Sequence, residues 1–249
     1  MFTDTHCHLY KEYYEDIEQV LTEAKEKGVH RVINNATDRK NMDEVLELST
    51  KYEGMYCAIG YHPEDLDNIV EEDLNYLENH LIDNKVIAIG EIGLDYHYTK
   101  ENKEKQIFFF EKQLELAEKY SIPVIIHSRD ATLDTLEILK KYKVKGVMHS
   151  FSGSLETAKE YIKMGLLLGI NGVITFKNCK ISEVYKEISL EHIILETDSP
   201  YLTPVPFRGQ QNNPSHIMDI VSYLCNLYGI SKEQLALETN RNINRIFDI

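Results

Sequence analysis

Short, almost continuously apolar runs alternate along this chain with stretches in which apolar residues recur every three or four positions. The pattern starts at once. Asp4-Thr5-His6-Cys7-His8 reads as the end of a first strand, and Ile17, Val20, Leu21 and Ala24 then fall at i, i+3, i+4 and i+7, a helical stripe closed by Gly28. Further strands are predicted at Val29–Asn34, Met55–Ile59, Val86–Ile89, Pro123–Ile126, Gly146–Met148, Leu166–Ile170 and His192–Leu195. Helices are predicted between them: over Asp38–Tyr52, through Leu74, Leu77 and Leu81, and along Gln106, Phe110, Gln113 and Ala117. More follow from about Pro214 to the end.

Eight short strands that read as continuous apolar runs, each followed by a helix, suit a parallel sheet covered on its outer faces. In 249 residues the leading architecture is a closed (β/α)8 TIM barrel. A doubly wound open sheet is the alternative, but no glycine-rich phosphate loop follows the first strand. With no internal repeat, low-complexity tract or linker, residues 1–249 are expected to form a single domain.

Composition narrows the function classes. Lys and Arg number 27 against 41 Asp and Glu, a net charge of −14, so the chain lacks the basic balance that broad, unspecific adhesion to nucleic acid requires. An anionic substrate stays compatible with that charge where bound cations dominate the local field. Cys7, Cys57, Cys179 and Cys225 show no C-x-x-C spacing, which suits reduced thiols and a cytoplasmic location. Neither a leader peptide nor a membrane-spanning run is expected, and no obligate protein partner is evident.

The candidate chemistry lies at the strand ends. On a strand, Asp4, His6 and His8 share a face, and two imidazoles on one face make half of a metal site. An H-x-H pair alone is weak evidence. Here it has company: Glu91 follows the fourth strand, His127 the fifth, His149 the sixth and Asp198 the eighth. In a barrel these ends meet at one face, the catalytic face of this architecture. Six metal-competent side chains on five strands then point to a metal site.

The same stretches resemble a known family. TDTHCHL at Thr3–Leu9, GYHPE at Gly60–Glu64, GEIGLDY at Gly90–Tyr96, PVIIHSRDA at Pro123–Ala131, HSFSG at His149–Gly153, ETDSPYL at Glu196–Leu202 and PFRG at Pro206–Gly209 are similar to the TatD family of metal-dependent deoxyribonucleases, within the amidohydrolase-like barrels. The resemblance implies a two-metal site and hydrolysis of DNA phosphodiesters from the 3′ end. It assigns His6, His8 and Asp198 to one cation and His127 and His149 to the other, with Glu91 bridging. Two positions depart from the pattern: Gln210 stands where many relatives have Lys, and His97 where another aromatic is frequent. Both concern substrate contacts rather than metal ligands.

The residue chemistry agrees without the family. Mixed nitrogen and oxygen donors suit zinc, manganese or iron, whereas magnesium prefers oxygen shells with retained waters. A bridging carboxylate such as Glu91 holds two divalent cations at a hydrolase-like separation, and Asp198 can both ligate and act as base. Asp198 as a helix N-cap before Ser199-Pro200 is the structural alternative. His62 and Arg129 are candidates for a substrate phosphate, as is Arg208 in the loop after the eighth strand. Tyr201 and Phe207 offer base-stacking surfaces or ordinary packing. His30 and His192 open strands at the opposite face, His80 and His216 read as surface residues, and His97 has no assigned role. The Gln106, Phe110, Gln113 stripe reads as helix-to-barrel packing. Besides DNA hydrolysis, the set serves a hydrolase of a small ester, lactone or amide. A non-catalytic metal-binding protein is the third reading, which the full ligand set argues against.

Overall fold

The computed structural model describes residues 1–249. Eight parallel strands pair in sequence order: β1 (Phe2–Cys7), β2 (Val29–Asn35), β3 (Met55–Ile59), β4 (Val86–Asp95), β5 (Val124–Arg129), β6 (Gly146–Met148), β7 (Leu166–Ile170) and β8 (Ile193–Leu195). The helices α1 (Ile17–Glu26), α2 (Arg39–Lys51), α3 (Asp73–His80), α4 (Lys103–Tyr120), α5 (Thr132–Leu139), α6 (Leu155–Lys163) and α7 (Ile181–Lys186) lie between strands. After β8 come α8 (Ile217–Tyr228) and α9 (Lys232–Phe247). The barrel closes just beyond β8: Cys7 bridges Ser199 in parallel, His8 N–H donates to Ser199 O at 2.7 Å, and Asp198 N–H donates to His6 O at 2.9 Å. The expected TIM barrel is the observed fold.

Period-two alternation sorts every strand into an inner and an outer face. Outward residues such as Val124, Ile126, Met148, Leu168 and Ile193 join the large core between sheet and helices. Inward residues form a smaller cluster, one from each of seven strands: Ile33, Ala58, Ala88, Ile125, Val147, Leu167 and Ile194. Ile243, Ile246 and Phe247 of α9 pack against it. That apolar layer fills the barrel. Two residues further along, the inward positions become Asn35, His127, His149, Gly169 and Glu196. The polar layer therefore rests directly on the apolar one, which fixes its height in the barrel.

Three expectations need correction. β4 and β5 run past the predicted ends, so Glu91 and His127 lie within strands; a register shift between Ile89 and Ile92 accommodates the extra length. His192 sits in a 3₁₀ turn ahead of β8 rather than on the strand. His216 is 7% exposed and therefore buried, because the loop after β8 folds back and sets the Phe207 ring 4.8 Å from its own, centroid to centroid. Gln106 and Gln113 do pack between helix and barrel, but through polar clamps. Gln113 takes the Tyr61 N–H at 2.7 Å and returns a bond to Tyr61 O at 3.2 Å. Gln106 does the same for Asp95, at 2.8 Å each way. A buried amide satisfies two main-chain groups at once, and both clamped residues adjoin the site described next.

Candidate metal centre

All six sequence-predicted ligands converge at the C-terminal mouth of the barrel. His6 Nε2 and His8 Nε2 are 3.1 Å apart. Glu91 Oε2 lies 3.3 Å from the first and 3.6 Å from the second, and Asp198 Oδ1 lies 3.7 and 3.5 Å from them. Donors set tetrahedrally about one zinc-like ion at ~2.0–2.1 Å would stand about 3.3 Å from one another. These five distances, 3.1–3.7 Å, are close to that spacing. Glu91 turns its other oxygen, Oε1, to a second group: His127 Nδ1 at 2.9 Å, His62 Nε2 at 3.6 Å and His149 Nε2 at 3.6 Å. One carboxylate thus faces two donor clusters, one with each oxygen.

Two of the imidazoles, His8 and His127, are oriented from behind, the arrangement that fixes tautomer and ring plane at metal sites, whereas the buried His6 Nδ1 has no hydrogen-bond partner. His8 Nδ1 lies 3.0 Å from Asn35 O. His127 Nε2 lies 2.8 Å from Asp95 Oδ2. His149 Nδ1 is 3.0 Å from Glu196 Oε1, off the line of a good hydrogen bond. His62 is oriented the other way: its Nδ1 accepts the Glu64 N–H at 3.2 Å, which leaves the proton of the neutral ring on Nε2, the atom facing Glu91.

Sequence reasoning gave no role to Asp95, Glu196, Asn35 or Asn34, which clamps both main-chain groups of Leu9. Glu196 was reachable by counting. It lies two residues past the inward Ile194, on the face that carries His127 and His149 in their strands. Gly169 belongs to the same layer for a steric reason, since a Cβ there would stand 2.3 Å from Glu196 Oε2. Asp4 does not join the ligands. It is fully buried and accepts the N–H groups of Thr197 (2.9 Å) and His6 (3.2 Å) and the Thr197 hydroxyl (2.5 Å).

Electrostatics follow from burial and crowding. Burial and the neighbouring His149 charge hold the His6 pKa below its ordinary value. For His127 burial acts downward, but the Asp95 and Glu91 hydrogen bonds override it and push the pKa up to about 9. Glu196, Glu91 and Asp198 likewise overcome burial at His149 and raise it to about 10. Burial would raise Glu91, yet the surrounding histidines, His149 foremost, hold its carboxyl well below the usual range. The anionic and cationic members stabilise each other, which is the donor state a cation could replace.

Two cavities are each lined by several of the donors. One, of about 550 Å³, is lined by seven carboxylates, including Glu12, Asp38, Glu64 and Asp65, with Lys40 and Arg129 as its Lys and Arg residues and Tyr98 and Tyr201 also lining it. The other, of about 360 Å³, lies toward β6 and β7 and contains a single carboxylate, Asp198. His127, His149, Asp198 and Arg129 line both. Arg208 lines neither; its guanidinium stacks 3.9 Å above the Phe176 ring. His97 forms an exposed pair with Asp130 at 2.9 Å.

A barrel whose mouth gathers His, Glu and Asp donors around one shared carboxylate defines a metal-dependent hydrolase, and comparison with known proteins gives the family. The chain matches the family model described as TatD related DNase over residues 3–248. It is 42% identical to the metal-dependent hydrolase YabD of Bacillus subtilis, covering 100% of both chains. It is 34% identical to the metal-dependent hydrolase YcfH of Escherichia coli K12, covering 99% of this chain and 95% of that protein. Among solved structures, the TatD homologue YJJV of Escherichia coli K12 superposes with a TM-score of 0.96 at 34% identity, covering 100% and 98% of the two chains. A TatD family hydrolase of Entamoeba histolytica superposes with a TM-score of 0.87 at 25% identity, covering 100% and 98%. The chain belongs to the TatD family of metal-dependent hydrolases. No helix is long and apolar enough to cross a membrane.

Proposed function

We propose that this protein is a phosphodiesterase that hydrolyses DNA from the 3′ end with two divalent cations. His6, His8 and Asp198 would hold one ion and His127 and His149 the other, with Glu91 between them. The mixed donor set suits zinc or manganese; magnesium is the alternative with the most retained water. Such ions supply Lewis-acid polarisation of the phosphoryl oxygen and a lowered pKa for the attacking water. Asp198 takes the proton of that water, because its carboxylate stands among the donors and burial there is outweighed by His149, His8 and His6, which keep it ionised. Arg129 offers a guanidinium fork to the phosphate oxygens.

The observation that favours a phosphoryl substrate is His62. With Nδ1 occupied by the Glu64 N–H, it presents an Nε2–H donor, suited to a phosphoryl oxygen rather than to an ion. Arg129 lines the same larger cavity, so the two residues offer donors for one tetrahedral anion. A second reading rests on the acid-lined cavity, which repels a long polyanion: hydrolysis of a small neutral ester, lactone or amide by the same donors. The test is digestion of end-labelled single-stranded and duplex DNA with added Mg²⁺, Mn²⁺ or Zn²⁺, beside a panel of carboxylic esters. Stepwise loss from the 3′ end is expected. Ester turnover without any DNA cleavage would establish the second reading instead.

A further inference from the structure

The two cavities differ in chemistry, and the smaller one has no occupant in the reading so far. From it we infer a subsite that receives the terminal nucleobase of the strand being cut. This inference rests on the nuclease reading and adds to it which part of the substrate lies where.

The walls define the ligand. Phe151, Ile170, Ile174, Ile181 and Tyr185 are each at most 7% exposed and give the cavity a fixed apolar lining. Its polar groups are neutral apart from Arg129 and the site residues. Asn171 donates to Ser150 Oγ at 2.7 Å and accepts the Val173 N–H at 3.1 Å, so it is held in place, and the Ser150 hydroxyl keeps its own proton for a ligand. Apolar walls with a few aimed neutral donors and acceptors suit an uncharged planar ring with a polar edge. A volume of about 360 Å³ holds one such group rather than several nucleotides. The larger cavity carries further carboxylates, Glu12, Asp38, Glu64 and Asp65, and suits an uncharged ring less well. Arg129, common to both, stands where the phosphate joining the terminal nucleoside to the rest of the strand would lie.

Val173 lines this cavity and not the larger one, and is half-buried, so a larger side chain there fills the subsite without opening the core. The experiment compares two single-stranded oligonucleotides, identical except that one ends in a 3′ abasic residue, with metal-loaded wild type and Val173→Phe. Base contacts of the stacking kind correspond to roughly 5- to 150-fold. The wild type should therefore favour the base-bearing end by at least about 5-fold in kcat/KM, and Val173→Phe should bring that ratio toward one. A 3′-terminal 2-aminopurine reports occupancy independently: its fluorescence should change on binding to wild type and much less with Val173→Phe, while circular dichroism checks that the variant folds. Equal cleavage of both ends by the wild type, or an unchanged ratio in a folded Val173→Phe, overturns the subsite and leaves the nuclease reading standing. Cleavage of neither oligonucleotide overturns the nuclease reading and the subsite with it.

Discussion

Gly169→Ala places one methyl group behind the donor cluster and should disturb it from a distance. The added Cβ would stand 2.3 Å from Glu196 Oε2 and 2.8 Å from its Cδ, whereas ordinary carbon contacts begin near 3.5 Å. The carboxylate must retreat by about 1 Å in a site where it has no exposed surface. Retreat strains the Ser150 N–H bond to Oε1, now 2.7 Å, and the approach of His149 Nδ1 at 3.0 Å. Overpacking costs about 1–3 kcal/mol, and a weakened hydrogen bond to a charged acceptor about 1.5–3 kcal/mol more, so a loss of about 2.5–6 kcal/mol is expected. Ion affinity should fall by about 10- to 100-fold, the usual effect of disturbing a ligand's outer partner.

The assay is a double-mutant cycle by urea unfolding of ion-free protein, with chelator competition for affinity. In a Glu196→Ala background the methyl has nothing to strike, so Gly169→Ala should there be neutral or slightly stabilising, since alanine suits a strand interior better than glycine. An equal cost in both backgrounds would refute the link between Gly169 and Glu196. A cost below about 0.5 kcal/mol in the wild type would refute the packing argument itself.

Other outcomes follow from the same geometry. Loading with zinc or manganese at about 100 times the dissociation constant should stabilise the fold by about 2.7 kcal/mol per ion, several degrees in Tm, and a chelator should reverse the gain in a thermal scan. Asp198→Asn should retain an oxygen donor but lose the base, lowering single-turnover cleavage by about 10²–10⁴-fold with little change in DNA binding; near-normal turnover at full ion content would exclude it as the base. Asp4→Asn keeps the oxygen that accepts both N–H groups and should be tolerated, whereas Asp4→Ala orphans them and should cost about 2–4 kcal/mol by urea unfolding. Arg129→Ala should weaken single-strand binding and flatten its salt dependence by about 0.7 in log–log slope, while Arg208→Ala, stacked away on Phe176, should change the slope less.

The candidate donors were legible in the sequence because they obey a rule of position. A histidine or carboxylate at the C-terminal end of a parallel strand reaches the barrel mouth whatever its neighbours do, so His6, His8, His127 and His149 could be assembled from strand ends alone. The groups that orient them obey no such rule. Asp95 went unread because the fourth strand was expected to end at Ile89, while β4 continues to Asp95. Glu196 and Asn35 lie on inward positions that could be counted, but nothing local marks a carboxylate or amide as a partner rather than a ligand. His216 was misread because helical periodicity says nothing of the loop that covers it.

The seam between β1 and the end of β8 shows why these unmarked groups matter. Asp198 holds a left-handed backbone, φ 57°, which costs a non-glycine residue about 1–2 kcal/mol and aims its carboxylate at His6 and His8. The offset comes from bonds that also close the barrel: Asp198 N–H to His6 O, and His8 N–H to Ser199 O. Asp4 ties Thr197 to β1, and Asn212 donates to Thr197 O at 3.0 Å and to Tyr201 O at 2.5 Å, while its own carbonyl accepts the Tyr14 hydroxyl at 2.6 Å. The first donor cluster takes His6 and His8 from one side of this seam and Asp198 from the other. Closing the barrel and assembling that cluster are therefore the same event, and a change that loosens the seam should reach the site before it reaches the apolar layer beneath.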